Sequence, residues 1–241
     1  MSLYVYGVMP NSATVPTVAG VQGETLTTFA SDGHTALISS LDGAQEIGTP
    51  DNLLAHSAVL DRVAAEGAVL PMVFGTVVPD EDALVEQVLA PRADLFEEHF
   101  ARVGDAAQFT LQGRFVREQV LAELVDEEPE IAALSRTISG TSEDETREER
   151  IRLGELVVNG LERKAAGEAD PIRAAVAPFA LEVVEHEPGQ ADDVIELALL
   201  VERRRQAEFE RAAEDLARQL AGRVTLRLLG PQAPYDFVSG A

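Results

Sequence analysis

The chain has 241 residues, 42 of them acidic against 19 basic, for a net charge of −23, and it contains no cysteine. That charge excludes a nucleic-acid partner and electrostatic adsorption to an anionic membrane, since both need a basic surface. The missing thiols exclude disulfides, Cys metal sites and thiol catalysis. With 46% hydrophobic residues, a sizeable core is available to one large domain or two small ones. No run approaches the roughly 18 apolar residues of a membrane span. The first residues lack the basic-then-apolar pattern of a secretory signal, so a cytoplasmic location is expected. Lys164 is the only lysine, which confines lysine chemistry to one position.

Taken in order, Leu3 to Val8 is β-branched and aromatic and predicts an opening strand. Asn11 to Gly23 is rich in Pro, Gly, Ser and Thr and predicts a loop. Thr25–Ala30 and Thr35–Ser40 flank Ser31-Asp32-Gly33, the spacing of a hairpin. Thr49-Pro50-Asp51 starts a helix with Asp51 as N-cap, Leu53, Leu60 and Val63 on its inner face, and Gly67 at its end. The apolar run Val69 to Val78 contains Pro71 and Gly75, which predict a strand end followed by a turn rather than a plain central strand. Asp80-Glu81-Asp82 places acid at the next helix N-terminus. Leu84, Val88, Leu95 and Phe100 continue that helix, with a kink or restart at Pro91 and a stop at Gly104. The first half thus spells an α+β domain over residues 1–104.

From Ala107, Phe109 and Leu111 alternate with polar residues in a half-buried strand. Helical stretches follow on either side of Glu128-Pro129. Ser142 with Glu145 forms a capping box for a helix running to about Gly167, in which Gly154 and Gly160 mark close packing. Phe179–Val183 is a strand, Glu187-Pro188-Gly189-Gln190 a turn, Val194–Val201 a strand buried on both faces, and Glu202–Ala221 a helix seamed by Phe209, Ala213, Leu216 and Leu220. Val224, Leu226 and Leu228 alternate in a last strand. This order, β-α-β-β-α-β with an extra helical insertion, predicts a ferredoxin-like domain over residues 105–230. Residues 231–241 form a short extended tail.

Few residue patterns in the chain carry chemistry. His34, His56, His99 and His186 show no i,i+3 or i,i+4 pairing, and no His-Glu-x-x-His motif exists. His56 shares a face with Leu53, Leu60 and Val63 and reads as a core-edge residue. His99, after Glu97-Glu98, reads as solvated. His186 lies between Glu185 and Glu187, but neighbours on a strand point to opposite faces. The Gly-rich, nucleophile-elbow and P-loop motifs are absent. Arg203-Arg204-Arg205 balances acid at a helix start. No catalytic set, cofactor or metal is expected.

Leu70-Pro71-Met72-Val73-Phe74-Gly75-Thr76-Val77 resembles the signature of the gas vesicle GvpL/GvpF protein family, which carries a basic residue where this chain has Val73. Three further stretches match that pattern: Tyr4 to Val8, Leu197 to Val201 running into Glu202, and the ending Gly230-Pro231-Gln232-Ala233-Pro234-Tyr235-Asp236-Phe237-Val238. The resemblance covers essentially the whole chain. It implies two α+β domains, the second ferredoxin-like. It also implies a non-enzymatic accessory or minor structural protein of gas vesicles, with the small hydrophobic shell subunit and other gas vesicle accessory proteins as partners.

Phe74, Tyr235 and Phe237 are the candidate partner-binding or structural residues. Phe74 is expected in the core of the first domain. Tyr235 and Phe237 stand two apart, so an extended tail stiffened by Pro231 and Pro234 would turn both to one side. Either the tail folds back and buries both rings, or it stays free and docks them on the shell subunit. The alternative function is a small-molecule enzyme or sensor on a ferredoxin-like scaffold, which requires a deep polar pocket near His56 or His186.

Overall fold

The computed structural model describes residues 2–11, 15–31, 33–41, 43 and 46–238. It contains two antiparallel sheets with helices packed on them. Strands β1 (Ser2–Pro10), β2 (Leu26–Ser31) and β3 (His34–Leu41) come first, and β2 and β3 form the expected hairpin. Asp32, assigned to its turn, lies outside the described residues; Gly33 beside it has φ +88°. Helix α1 (Pro50–Glu66) follows, then the two-residue strands β4 (Leu70–Pro71) and β5 (Val77–Val78). Both short strands pair with β1, Gly7 opposite Pro71 and Leu3 opposite Val78. The first sheet therefore runs β2-β3-β1-β4, with β5 also on β1.

Pro71 and Gly75 explain why the apolar run splits. Pro71 has no N–H to give a ladder, and Gly75 adopts φ +90°, where a side chain would be strained. Residues 73–75 consequently bulge out of the sheet, between Met72, whose N–H donates to the Tyr6 carbonyl, and Thr76, whose carbonyl accepts from the Val5 N–H, and the chain returns as β5. The first unit is completed by α2 (Glu81–Leu84), a π-turn (Val85–Leu89), a 3-10 turn at Ala90–Arg92 and α3 (Ala93–Val103), so the helix restarts at Pro91 and is capped by Gly104.

The second sheet is built from β6 (Ala106–Phe115), β7 (Ala180–His186), β8 (Asp193–Glu202) and β9 (Val224–Gln232), in the order β7-β8-β6-β9. Its connections hold α4 (Arg117–Glu127), α5 (Pro129–Ile138), α6 (Arg147–Val176) and α7 (Gln206–Gln219). Glu128 is extended ahead of Pro129, as a residue before proline prefers, and this separates α4 from α5. Two compact units result. One comprises Met1–Phe109, Leu200–Arg204 and Leu229–Ala241; the other comprises Thr110–Leu199 and Arg205–Leu228.

Several local expectations are corrected. The N-cap of α1 is Thr49, whose hydroxyl accepts from the Asn52 N–H, because Pro50 takes the first helical position and leaves Asp51 inside the turn. Leu53 is 48% exposed rather than on the inner face. His99 is buried, not solvated, because it shares a face with Phe96 and Val103 while Glu97 and Glu98 point away. Helix α6 starts at Arg147, and Glu145 accepts from Ser142 in the turn before it. It also continues through Gly167 and Pro171 to Val176, since Ala169, Ile172 and Val176 are buried and tertiary packing overrides the two breakers. The predicted tail is extended only over Pro231 and Gln232, which continue β9; Tyr235–Phe237 forms a 3-10 turn, which sends the two rings in different directions, and residues 239–241 lie outside the described residues.

Candidate partner-binding surface

Alternation along β1 sends Tyr4 and Tyr6 to the same side, and α1 lies over that side with His56, Val59, Leu60 and Val63 turned inward. Both tyrosines are fully buried and their rings lie 4.8 Å apart. Each buried hydroxyl needs a partner, and each finds one. Tyr6 Oη accepts from the Val21 N–H at 2.7 Å and lies 2.9 Å from Ser39 Oγ. Tyr4 Oη accepts from the Gly75 N–H at 3.0 Å and meets His56 Nδ1 at 2.9 Å. The other ring nitrogen, His56 Nε2, meets Tyr235 Oη at 2.9 Å. A continuous chain thus runs from the 73–75 bulge through β1 and α1 to the C-terminal segment.

Ring packing fixes the same groups. His56 stacks on Tyr6 with an interplanar angle of 19°, and Phe74 meets His56 edge-on at 5.6 Å. His56 is 1% exposed, and burial pushes its pKa down to about 4, opposed only in part by the Met72 backbone. The ring is therefore neutral at pH 7 and serves as one donor and one acceptor between the two hydroxyls. Burial pushes the Tyr4 hydroxyl up to about 12 and raises that of Tyr235 as well. The network stays uncharged across the physiological range, and it positions side chains rather than moving protons.

At its rim the network presents apolar surface. Tyr235 is 42% exposed, Val73, beside Phe74, is 69% exposed, and Leu53 stands one helical turn before His56. Of the three candidate residues, Phe74 and Tyr235 come together at His56. Phe74 is partly buried, packed against the core cluster of the first unit rather than sealed inside it. Phe237 is apart from them: its side chain is 2% exposed, and its carbonyl accepts from Arg102. Gln108 of β6 bonds the Asp236 N–H and carboxylate, and the Ala233 N–H donates to Asp61, so the segment is tied at several points.

A profile of the family described as gas vesicle synthesis protein GvpL/GvpF matches residues 2–239. The chain belongs to the GvpL/GvpF family. Gas vesicle protein F of a Streptomyces species is 31% identical over 243 residues, covering 99% of this chain and all of the relative. Gas vesicle protein F of Microcystis aeruginosa is 24% identical, with 98% of each chain covered. The crystal structure of GvpF from Anabaena superposes with a TM-score of 0.80 at 23% identity, over 100% of this chain and 99% of the other. That of GvpF from Microcystis aeruginosa gives a TM-score of 0.77 at 23% identity, over 99% of each.

Within this GvpL/GvpF protein, three of the four stretches that carried the resemblance meet in one place. Tyr4 comes from the first, Phe74 and Gly75 from the second and Tyr235 from the last, and His56 joins them. His56 was visible in the sequence only as a core-edge histidine, because its partners are 52 and 179 residues away. The remaining groups singled out by type have structural duties. Lys164 is bound between Glu123 and Glu127. Arg203 donates to the carbonyls of Gly67 and Ala106, Arg204 pairs with Glu202, and Arg205 pairs with Glu208 and lies over the Phe179 ring. Among the described residues no group of His, Asp and Glu is placed to hold a metal ion, and no helix is long and apolar enough to cross a membrane.

Proposed function

We propose that this protein is a non-enzymatic accessory or minor structural protein of gas vesicles that binds the hydrophobic shell subunit and supports vesicle assembly in the cytoplasm. The observation that carries the proposal is the exposed apolar rim of Val73, Tyr235 and Leu53 around the neutral Tyr4–His56–Tyr235 network, on a chain of net charge −23. A shell subunit exposes apolar surface before it polymerises and aggregates without a partner. A rigid apolar rim covers such surface, and the large negative charge keeps the complex dispersed. The names of the relatives support the same setting and make other gas vesicle proteins candidate partners.

The proposal extends to the architecture. The strand order β7-β8-β6-β9, with helices in the first and third connections, supports a ferredoxin-like second domain. The cap at Gly104 and the change of compact unit after Phe109 support a folding boundary in that stretch. Deleting the gene in a host with no related copy tests the function: loss of gas vesicles, restored by the wild-type gene, is the expected outcome, and normal vesicles contradict it.

A further inference from the structure

The second unit carries an apolar stripe that the proposed function does not use. On α6, Ile151, Gly154, Val158, Ala165 and Ala169 follow one another at spacings of three, four, seven and four, so they share one face of the helix. Ile151 is 56% exposed and Val158 41%, and nothing lies within 4 Å of the space a Cβ on Gly154 would fill. From Glu162 onward the same face opens into a groove of about 690 Å³, floored by Ala165, Ala166 and Ala169 and closed on the far side by the turn after β7. At 1.5 Å per residue the stripe is about 27 Å long. This is the kind of surface on which an amphipathic helix lays its apolar face.

Charge identifies the occupant. Glu148, Glu155 and Glu162 recur every seven residues along one edge of the stripe, and Glu185 and Glu187 stand on the opposite wall of the groove. Arg152 already pairs with Glu155 and Arg173 with Glu185. Glu148, Glu162 and Glu187 have no ion-pair partner among the described residues. Two copies of the chain laid antiparallel, stripe to stripe, would set the Glu148–Glu155–Glu162 row against itself, which disfavours that self-association.

We infer that the α6 stripe and its groove form a docking surface for a partner's amphipathic helix, apolar on one face and lined with Lys or Arg along its edges. The inference does not depend on shell-subunit binding at the first unit.

The test uses the full chain and a fluorescein-labelled synthetic helix of about 18 residues, matched to the stripe length, with leucines on one face and lysines flanking them. Fluorescence anisotropy should show saturable binding. Val158→Asp should weaken it about tenfold, the usual effect of breaking a central apolar contact. That variant adds negative charge, so a contact driven by charge alone would instead tighten. Glu162→Gln with Glu187→Gln should weaken binding about threefold and flatten its salt dependence. A peptide of the same composition in scrambled order should bind at least about tenfold more weakly, since it has no apolar face. Equal binding by Val158→Asp, or by the scrambled peptide, would overturn the inference. All three substituted positions are exposed, and an unchanged melting temperature confirms that each variant is folded.

Discussion

His56 sits between two hydroxyls that do not ionise near neutrality, and its own pKa falls from the ordinary 6.5 to about 4 on burial. Between these values the unfolded chain binds a proton that the folded chain refuses, so this group makes stability rise with pH and fall as pH drops from about 6.5 towards 4. The facing titratable groups, Tyr4 and Tyr235, stay neutral throughout that window. The expected loss is about 2 kcal/mol between pH 7 and pH 5. Denaturant melts of wild type and His56→Gln at the two pH values check it; the variant should lack this part of the slope. Tyr235→Phe removes one hydrogen bond to a neutral ring and should cost about 1 kcal/mol in the same assay. Phe74→Ala should cost about 1–3 kcal/mol, less than for a sealed core phenylalanine, because the ring is only partly buried. None of these couplings was legible in the sequence, where His56 and Tyr235 are 179 residues apart. Composition and spacing report on neighbours along a helix or strand, whereas this network is made by the fold.

The two glycines of α6 separate packing from propensity. A Cβ on Gly160 would lie 2.7 Å from Leu124 Cδ2, whereas one on Gly154 would meet nothing within 4 Å. Gly154→Ala should therefore stabilise by about 0.5–1 kcal/mol through helix propensity. Gly160→Ala should lose that gain to overpacking against the buried Leu124, giving a net cost of about 0–2 kcal/mol. Thermal melts of the two variants should move in opposite directions. Close packing was expected of both positions, and sequence alone could not distinguish them, because only one meets α4. Other elements were more legible. The β2–β3 hairpin, the α4–α5 break at Pro129 and the strand over Val194–Val201 follow from turn chemistry, proline and apolar patterning. The far end of α6 was not legible, since Gly167 and Pro171 signal a stop that burial of Ile172 and Val176 overrides.

For the molecule as a whole, the strand and helix order could be read in advance apart from β5, whereas the meeting of three separated motifs at His56 could not. Family membership spans residues 2–239, and the GvpF structures match over nearly the full length, so the chain works within a shared architecture. What sets its proposed role is an apolar rim on a strongly acidic protein. Val73 tests that role most directly: it is 69% exposed, so Val73→Glu alters the rim without opening the core. The measurement is capture of the shell subunit from a co-expressing cell by the tagged full-length chain. Wild type should retain the subunit and Val73→Glu should retain at least about tenfold less, at an unchanged melting temperature. Equal capture by the two proteins would contradict that role.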